Sequence, residues 1–166
     1  MKTLLISIKA FLFFTVLTGI VYPLVVTGIA QLVFPAKANG SLLTKDNKII
    51  GSALIGQQFN GDKYFTPRPS AVSYNPLPSG GSNYGLTNAK LKQQINERKE
   101  QFITSNQLDI NSVIPSEMLF ASASGLDPHI SKQAAMLQVN RIVKARGFST
   151  DEHKQLIGCI NRLTES

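Results

Sequence analysis

Residues 121–131 read ASASGLDPHIS and offer Ser124, Asp127 and His129, the side-chain set of a hydrolase. In that chemistry a histidine takes the serine proton while a carboxylate orients the ring. Here all three fall within six positions, with the aspartate between the other two. Triad members generally come from separate segments, because the imidazole must lie between nucleophile and carboxylate in space. No G-x-S-x-G nucleophile elbow is present. Turn chemistry accounts for the same residues. Gly125 permits a reversal, Asp127 before Pro128 favours a turn, and Ser131 opens a helix. The stretch is expected to be a joint, structural or facing a partner, with Asp127 and His129 satisfying nearby backbone groups. A membrane-tethered hydrolase using Ser124 and His129 is the alternative.

Three other stretches carry potential chemistry. SGGSNYG, residues 79–85, is glycine-rich, and its backbone N–H groups could cradle an anion. A nucleotide module would use Ser79, Gly80, Gly81 and Ser82 with Gln57 or Gln58. The structural alternative is a tight turn in which Gly80 and Gly81 take positive φ, and it is preferred because no P-loop or G-x-G-x-x-G context surrounds the turn. Asp62-Lys63 followed by Thr66 is a partial echo of the Asp-Lys-Thr-Gly-Thr phosphorylation motif of P-type ATPases. Tyr64 and Phe65 break that motif, and the chain is too short for the nucleotide-binding machinery. In YFTPRPSA, Arg68 lies between Pro67 and Pro69, which stiffen the backbone on both sides. Its guanidinium suits bidentate pairing with a carboxylate, of a partner or of its own chain. His129 and His153 are the only histidines and are far apart, so no metal site is expected. Cys159 is the single cysteine and is expected to be a small buried helix residue.

The elements that must position these residues follow from periodicity. SLLTKDNKIIGSAL reads as a hairpin about Asp46-Asn47. Residues 56–87 are rich in Gly, Pro, Ser and Asn but carry Phe59, Tyr64, Phe65, Tyr74 and Tyr84, so the stretch is expected to be ordered and packed. A helix is expected over 88–105, capped by Thr87, with Leu91, Ile95 and Phe102 on its apolar face. A second is expected over 132–146, from the Ser131 cap to Gly147, with Ala135, Val139, Ile142 and Val143 inward. A third starts at Ser149, in a capping box with Glu152, and turns Leu156, Ile157, Ile160 and Leu163 inward. EMLFASA, residues 117–123, reads as a short strand.

Residues 10–34 contain no charged side chain. About 20 apolar residues cross about 30 Å of hydrocarbon, and a signal-peptide core is only about 7–15 residues long. A retained transmembrane helix is therefore expected in residues 1–34, with one soluble domain over 35–166. Pro23 should kink the helix. Thr15, Gly19 and Gly28 are small enough to admit a neighbouring helix. Lysines flank the run on both sides, so charge does not orient it. The 166-residue chain has a net charge of +7, with its basic residues scattered rather than clustered, and nucleic acid is not an expected partner.

An N-terminal span followed in order by GSALIGQQF (51–59), YFTPRPSA (64–71), SGGSNYGLTN (79–88) and ASASGLDPHIS (121–131) closely resembles the KdpC family, the C subunit of the bacterial Kdp potassium-transporting P-type ATPase. The family usually reads S-N-L-G-P-T-N where residues 82–88 stand here, and a proline commonly stands at the position of Lys132. The resemblance implies an α/β fold: one membrane helix, then one mixed α/β extracytoplasmic domain. It implies an accessory subunit that hydrolyses no ATP. The subunit would be held in the bacterial inner membrane with its N-terminus cytoplasmic, beside a channel-like potassium-binding subunit, an ATP-hydrolysing subunit and a small single-span subunit. The family is also described as a catalytic chaperone raising the ATP affinity of the pumping subunit, so ATP would be reached through the complex. An extracytoplasmic domain could not touch cytoplasmic ATP, which makes assembly the expected role. The resemblance makes Arg68, Pro69, Ser70, Asn83, Ser124, Gly125, Asp127, Pro128 and His129 the motif residues to place.

Overall fold

The computed structural model describes residues 2–165. The chain divides into two compact units between Ala53 and Leu54. The hairpin expected to open the soluble domain belongs to the same unit as the N-terminal helix.

In the first unit a helical run extends from Lys2 to Val33, 32 residues with mean hydropathy 2.3 and no buried side chain. It is long and apolar enough to cross a membrane. It comprises α1 (Lys2–Val16), a π-turn (Leu17–Val21) and α2 (Tyr22–Val33). Proline lacks an N–H, so a helix must rearrange its ladder around one. Here the π-turn lies directly ahead of Pro23: the Tyr22 N–H bonds to Leu17 O, five residues back, and Pro23 sits in the first turn of α2. The hydroxyls of Thr15 and Thr18 donate to carbonyls four residues earlier, at 2.8 and 2.7 Å. After α3 (Pro35–Ala38), β1 (Leu42–Lys45) and β2 (Lys48–Ser52) pair antiparallel. Asp46 and Asn47 both have positive φ, 51° and 58°, the geometry that matches a two-residue turn to strand twist.

The second unit has α4 (Ala89–Asn106), a 3-10 turn (Ser116–Met118), α5 (Lys132–Arg146) and α6 (Thr150–Leu163). α5 packs against both α4 and α6. One core cluster holds Phe102, Ile103, Ile114, Met118 and Ala134; the other holds Ala135, Val139 and Ile160; Ile130 touches both. The expected limits of α5 agree with the structure, including the Ser131 cap, whose Oγ accepts from Ala134 N–H. The Ser149–Glu152 capping box is present.

Several expectations need correction. EMLFASA is not a strand: Pro115 leads into a single 3-10 turn, and no partner strand lies alongside. Among the described residues the sheet is the two-stranded hairpin alone, so the protein is a mixed helix and small-sheet fold, compatible with α/β. The cap of α4 is Asn88, not Thr87; its Oδ1 accepts from Lys90 N–H at 2.8 Å. Leu163 is 75% exposed, because it lies in the last turn of α6, beyond the core contact at Ile160.

Candidate functional site

Residues 121–131 bond through the backbone to three points of the long stretch between β2 and α4. Ser122 N–H donates to Pro69 O at 3.1 Å, Gly80 N–H to Ser124 O at 3.0 Å, and Gly56 N–H to Leu126 O at 2.7 Å. Glycines permit this approach. A Cβ on Gly56 would lie 2.9 Å from Asp127 O, and one on Gly81 would lie 3.1 Å from Ala123 O. Gly125 is buried at φ +70°, where a Cβ would meet Val72 Cγ2 at 2.5 Å and Gly80 O at 2.8 Å.

A charged group closes the joint. Arg68 donates to Asp127 Oδ2 at 2.9 Å, with both side chains a little over a quarter exposed. Its Nε is buried without a hydrogen-bond partner. Burial tends to raise the Asp127 pKa, but hydrogen bonds from His129 N–H, Arg68 and the His129 ring, with the nearby guanidinium, bring it below its ordinary value. Glu117 is similar: burial opposes ionisation, while hydrogen bonds from Ser131 and the proximity of Arg68 prevail and lower its pKa. Arg68 thus lies among two carboxylates that stay ionised. Ser70 Oγ accepts from the N–H groups of Val72 and Tyr74, and the Tyr74 hydroxyl donates to Arg68 O at 2.7 Å. Burial raises the Tyr74 pKa, which keeps that hydroxyl a donor.

The serine of the apparent triad takes no part in such a unit. Ser124 Oγ accepts from Leu126 N–H, a local turn bond, and makes no hydrogen bond to His129. His129 contacts Asp127 Oδ1 at 3.2 Å through Nδ1, but its ring is 81% exposed. Pro128 follows Asp127 half-buried.

The glycine-rich turn also differs from expectation. Gly80 and Gly81 do not take positive φ; Asn83 does, at 54°. Gly81 serves close packing against Ala123 and Ser122, a Cβ on Gly80 would meet open space, and the Gly80 N–H is engaged by Ser124 O. Ser82 and Asn83 border a hollow of about 290 Å³ with Arg68, while Ser79 is exposed. Gln57 is half-buried one position beyond the Gly56 contact. On the N-terminal helix, positions 19 and 28 have open space where a Cβ would be.

A second polar centre has no counterpart in the sequence expectations. Arg141, 7% exposed, donates through Nε to Asn106 Oδ1 at 2.9 Å, through Nη1 to Asp62 O at 2.7 Å and through Nη2 to Gln138 Oε1 at 2.9 Å. Gln138, fully buried, accepts from Thr66 N–H at 2.6 Å and donates to Thr66 O at 3.2 Å. GDKYFT is therefore a strap fastened to α5 by three side chains, since Arg146 Nε also donates to Lys63 O at 2.7 Å. Burial lowers the Arg141 pKa, against which Asp62 acts to raise it. The available signal was the placement of Gln138 and Arg141 three residues apart among the inward positions of α5.

Gly56, Arg68 with Pro69, Gly80 with Gly81, and residues 121–131 thus meet at one joint built by backbone bonds and one ion pair. A family profile described as the c chain of the K+-transporting ATPase, KdpC, matches residues 4–164. The chain belongs to the KdpC family. Similar KdpC proteins include the potassium-transporting ATPase KdpC subunit of Geotalea uraniireducens, 48% identical over 95% of this chain and 84% of that protein. The subunit of the same name from Caldanaerobacter subterraneus is 46% identical over 91% of this chain and 78% of its own length. That from Mycobacterium tuberculosis is 46% identical over 94% and 84%. The joint at Arg68 and Asp127 lies wholly inside the KdpC match.

Proposed function

We propose that this chain is the accessory, non-hydrolysing subunit of a potassium-transporting Kdp ATPase, with its N-terminal helix in the bacterial plasma membrane and its second unit extracytoplasmic. Family membership carries the coarse function. The observation that carries the interaction role is that the polar motif residues hold loops together rather than facing one another as a reactive constellation. Ser124, Asp127, His129 and Arg68 are bonded within the joint.

In this reading the helix packs beside a channel-like potassium-binding subunit through Thr15, Gly19 and Gly28. The second unit braces the ion-entry side of the complex. The ATP-hydrolysing subunit and a small single-span subunit complete the assembly. Any chaperone effect on ATP affinity is transmitted through these contacts, because the Gly80 N–H of the candidate nucleotide turn is already bonded within the chain.

The test is co-purification and ATPase activity after residues 1–34 are removed. The truncated chain should fail to join the detergent-solubilised complex. Full assembly and potassium-stimulated activity with that chain would overturn the anchoring role.

A further inference from the structure

The hairpin β1–β2 is chemically unlike an ordinary solvent-facing ribbon. Leu42 and Leu43 are each 49% exposed, Ile49 is 65% exposed and Ile50 is 55% exposed. Four large aliphatic side chains thus stand open on nine strand residues. An isolated two-stranded hairpin is at best marginally stable in water, and apolar side chains exposed on both faces of so short a ribbon favour a contact that can surround it. The charges around it are Lys37, Lys45 and Lys48 against Asp46 alone. Lys45 and Lys48 are register partners beside the turn.

The hairpin is also held close to the end of the apolar helix. Eight residues separate Val33 from Leu42, and four of them are the helical turn α3. At helical and extended rises the link reaches at most about 20 Å. Its own bonds shorten it further: Ser41 N–H donates to Ala36 O, and Asn39 exchanges side-chain hydrogen bonds with Gln31 at 3.2 Å. Ser52 Oγ donates to Gly40 O, and Ala53 N–H to Ser41 O, fastening the second strand to the same link. An apolar, lysine-bearing ribbon is therefore tethered next to the terminus of a membrane-length helix.

We propose that β1–β2 is a second membrane contact. Its leucines and isoleucines enter the boundary between headgroups and acyl chains, and Lys37, Lys45 and Lys48 bind anionic lipid headgroups beside the span. The proposal rests on the reading of Lys2–Val33 as a membrane span. Aliphatic groups with flanking lysines are the composition that partitions into an anionic interface. The lysines paired at the tip match the charge of an anionic headgroup layer.

The experiment uses the full chain, carrying Cys159→Ser, in lipid nanodiscs. An environment-sensitive fluorophore is placed at Ile49→Cys, or at Leu17→Cys within the span. The bilayers are phosphatidylcholine with and without phosphatidylglycerol, and contain lipids bearing a nitroxide near the glycerol backbone or deep in the acyl chain. The Ile49 probe should be blue-shifted and quenched by the shallow nitroxide, more strongly with phosphatidylglycerol. The double change Lys45→Glu, Lys48→Glu should reduce that quenching. A quenched Leu17 probe beside an unquenched Ile49 probe overturns the proposal and leaves the span intact. Shielding of Ile49 only when the chain is assembled with its partner subunits overturns it in favour of a protein contact. Failure of the deep nitroxide to quench the Leu17 probe removes the span reading itself, and the hairpin proposal with it.

Discussion

Arg68 and Asp127 are 59 residues apart in the chain and 2.9 Å apart in the fold. Each stands beside a proline, so both side chains leave a stiffened backbone. Asp127→Asn keeps the turn bond to His129 N–H but removes the ion pair. It should lower stability by about 1 kcal/mol, the scale of a partly exposed charged hydrogen bond, and by less at high salt. Thermal unfolding of the full chain in detergent at two ionic strengths checks this.

The acid limb of stability should depend on the same residue. Asp127 and Glu117 both titrate below their ordinary values in the folded chain. A depressed carboxyl pKa adds stability above the unfolded value, about 4, and that contribution is lost as pH falls through the folded value. The melting temperature should therefore decline below about pH 4, and Asp127→Asn should make the decline shallower. An identical decline in the variant would show that other groups govern it.

Gly125 and Gly147 both have positive φ, at 70° and 65°, but different surroundings. A Cβ at Gly147 meets open space, so Gly147→Ala should cost about 1 kcal/mol, from backbone strain alone. At Gly125 the Cβ collides with Val72 and with Gly80 O, and the cost should be about 3 kcal/mol or more. Equal melting temperatures for the two variants would refute the close-packed joint.

Arg141→Met is predicted to be among the most damaging single changes in the second unit. It leaves Asn106 Oδ1 and Asp62 O without their guanidinium donor inside the fold, which should cost about 3 kcal/mol. Limited proteolysis should then cut first within residues 58–66, as the strap loosens before the core melts. Cleavage confined to other loops would contradict the strap.

Calorimetric titration of the full chain with Mg-ATP should give no saturable binding at millimolar ligand, because the Gly80 N–H is committed to Ser124 O. Saturable heat that disappears in Gly81→Ala would restore a nucleotide site at residues 79–82.

The helices were legible because their signals are local. The Ser131 cap, the Gly147 stop and the Ser149–Glu152 box act within one turn of the chain. The hairpin was legible for the same reason, through Asp46 and Asn47. EMLFASA misled because its apolar residues fit a strand while pairing depends on a neighbour elsewhere in the fold. The joint was half legible: the turn residues of 121–131 were readable, but not that they bond to residues 56, 69 and 80. Gln138 and Arg141 were hidden because buried polar residues look like surface residues until the strap that covers them is known.

The π-turn at Leu17–Val21 divides the N-terminal helix into two phases. Each residue of an α-helix advances about 100° around the axis, and a π-turn accommodates one residue more than an α-turn. Side chains after Pro23 are thus swung by roughly a residue's angle from where an uninterrupted count from Lys2 would put them. A neighbour lying along the whole span meets one stripe below the turn and a differently numbered stripe above it. Loss of one residue between positions 17 and 21 would barely shorten the span and would let it close into an unbroken α-helix with its two stripes still aligned, whereas loss of one residue elsewhere in the span would turn the halves against each other.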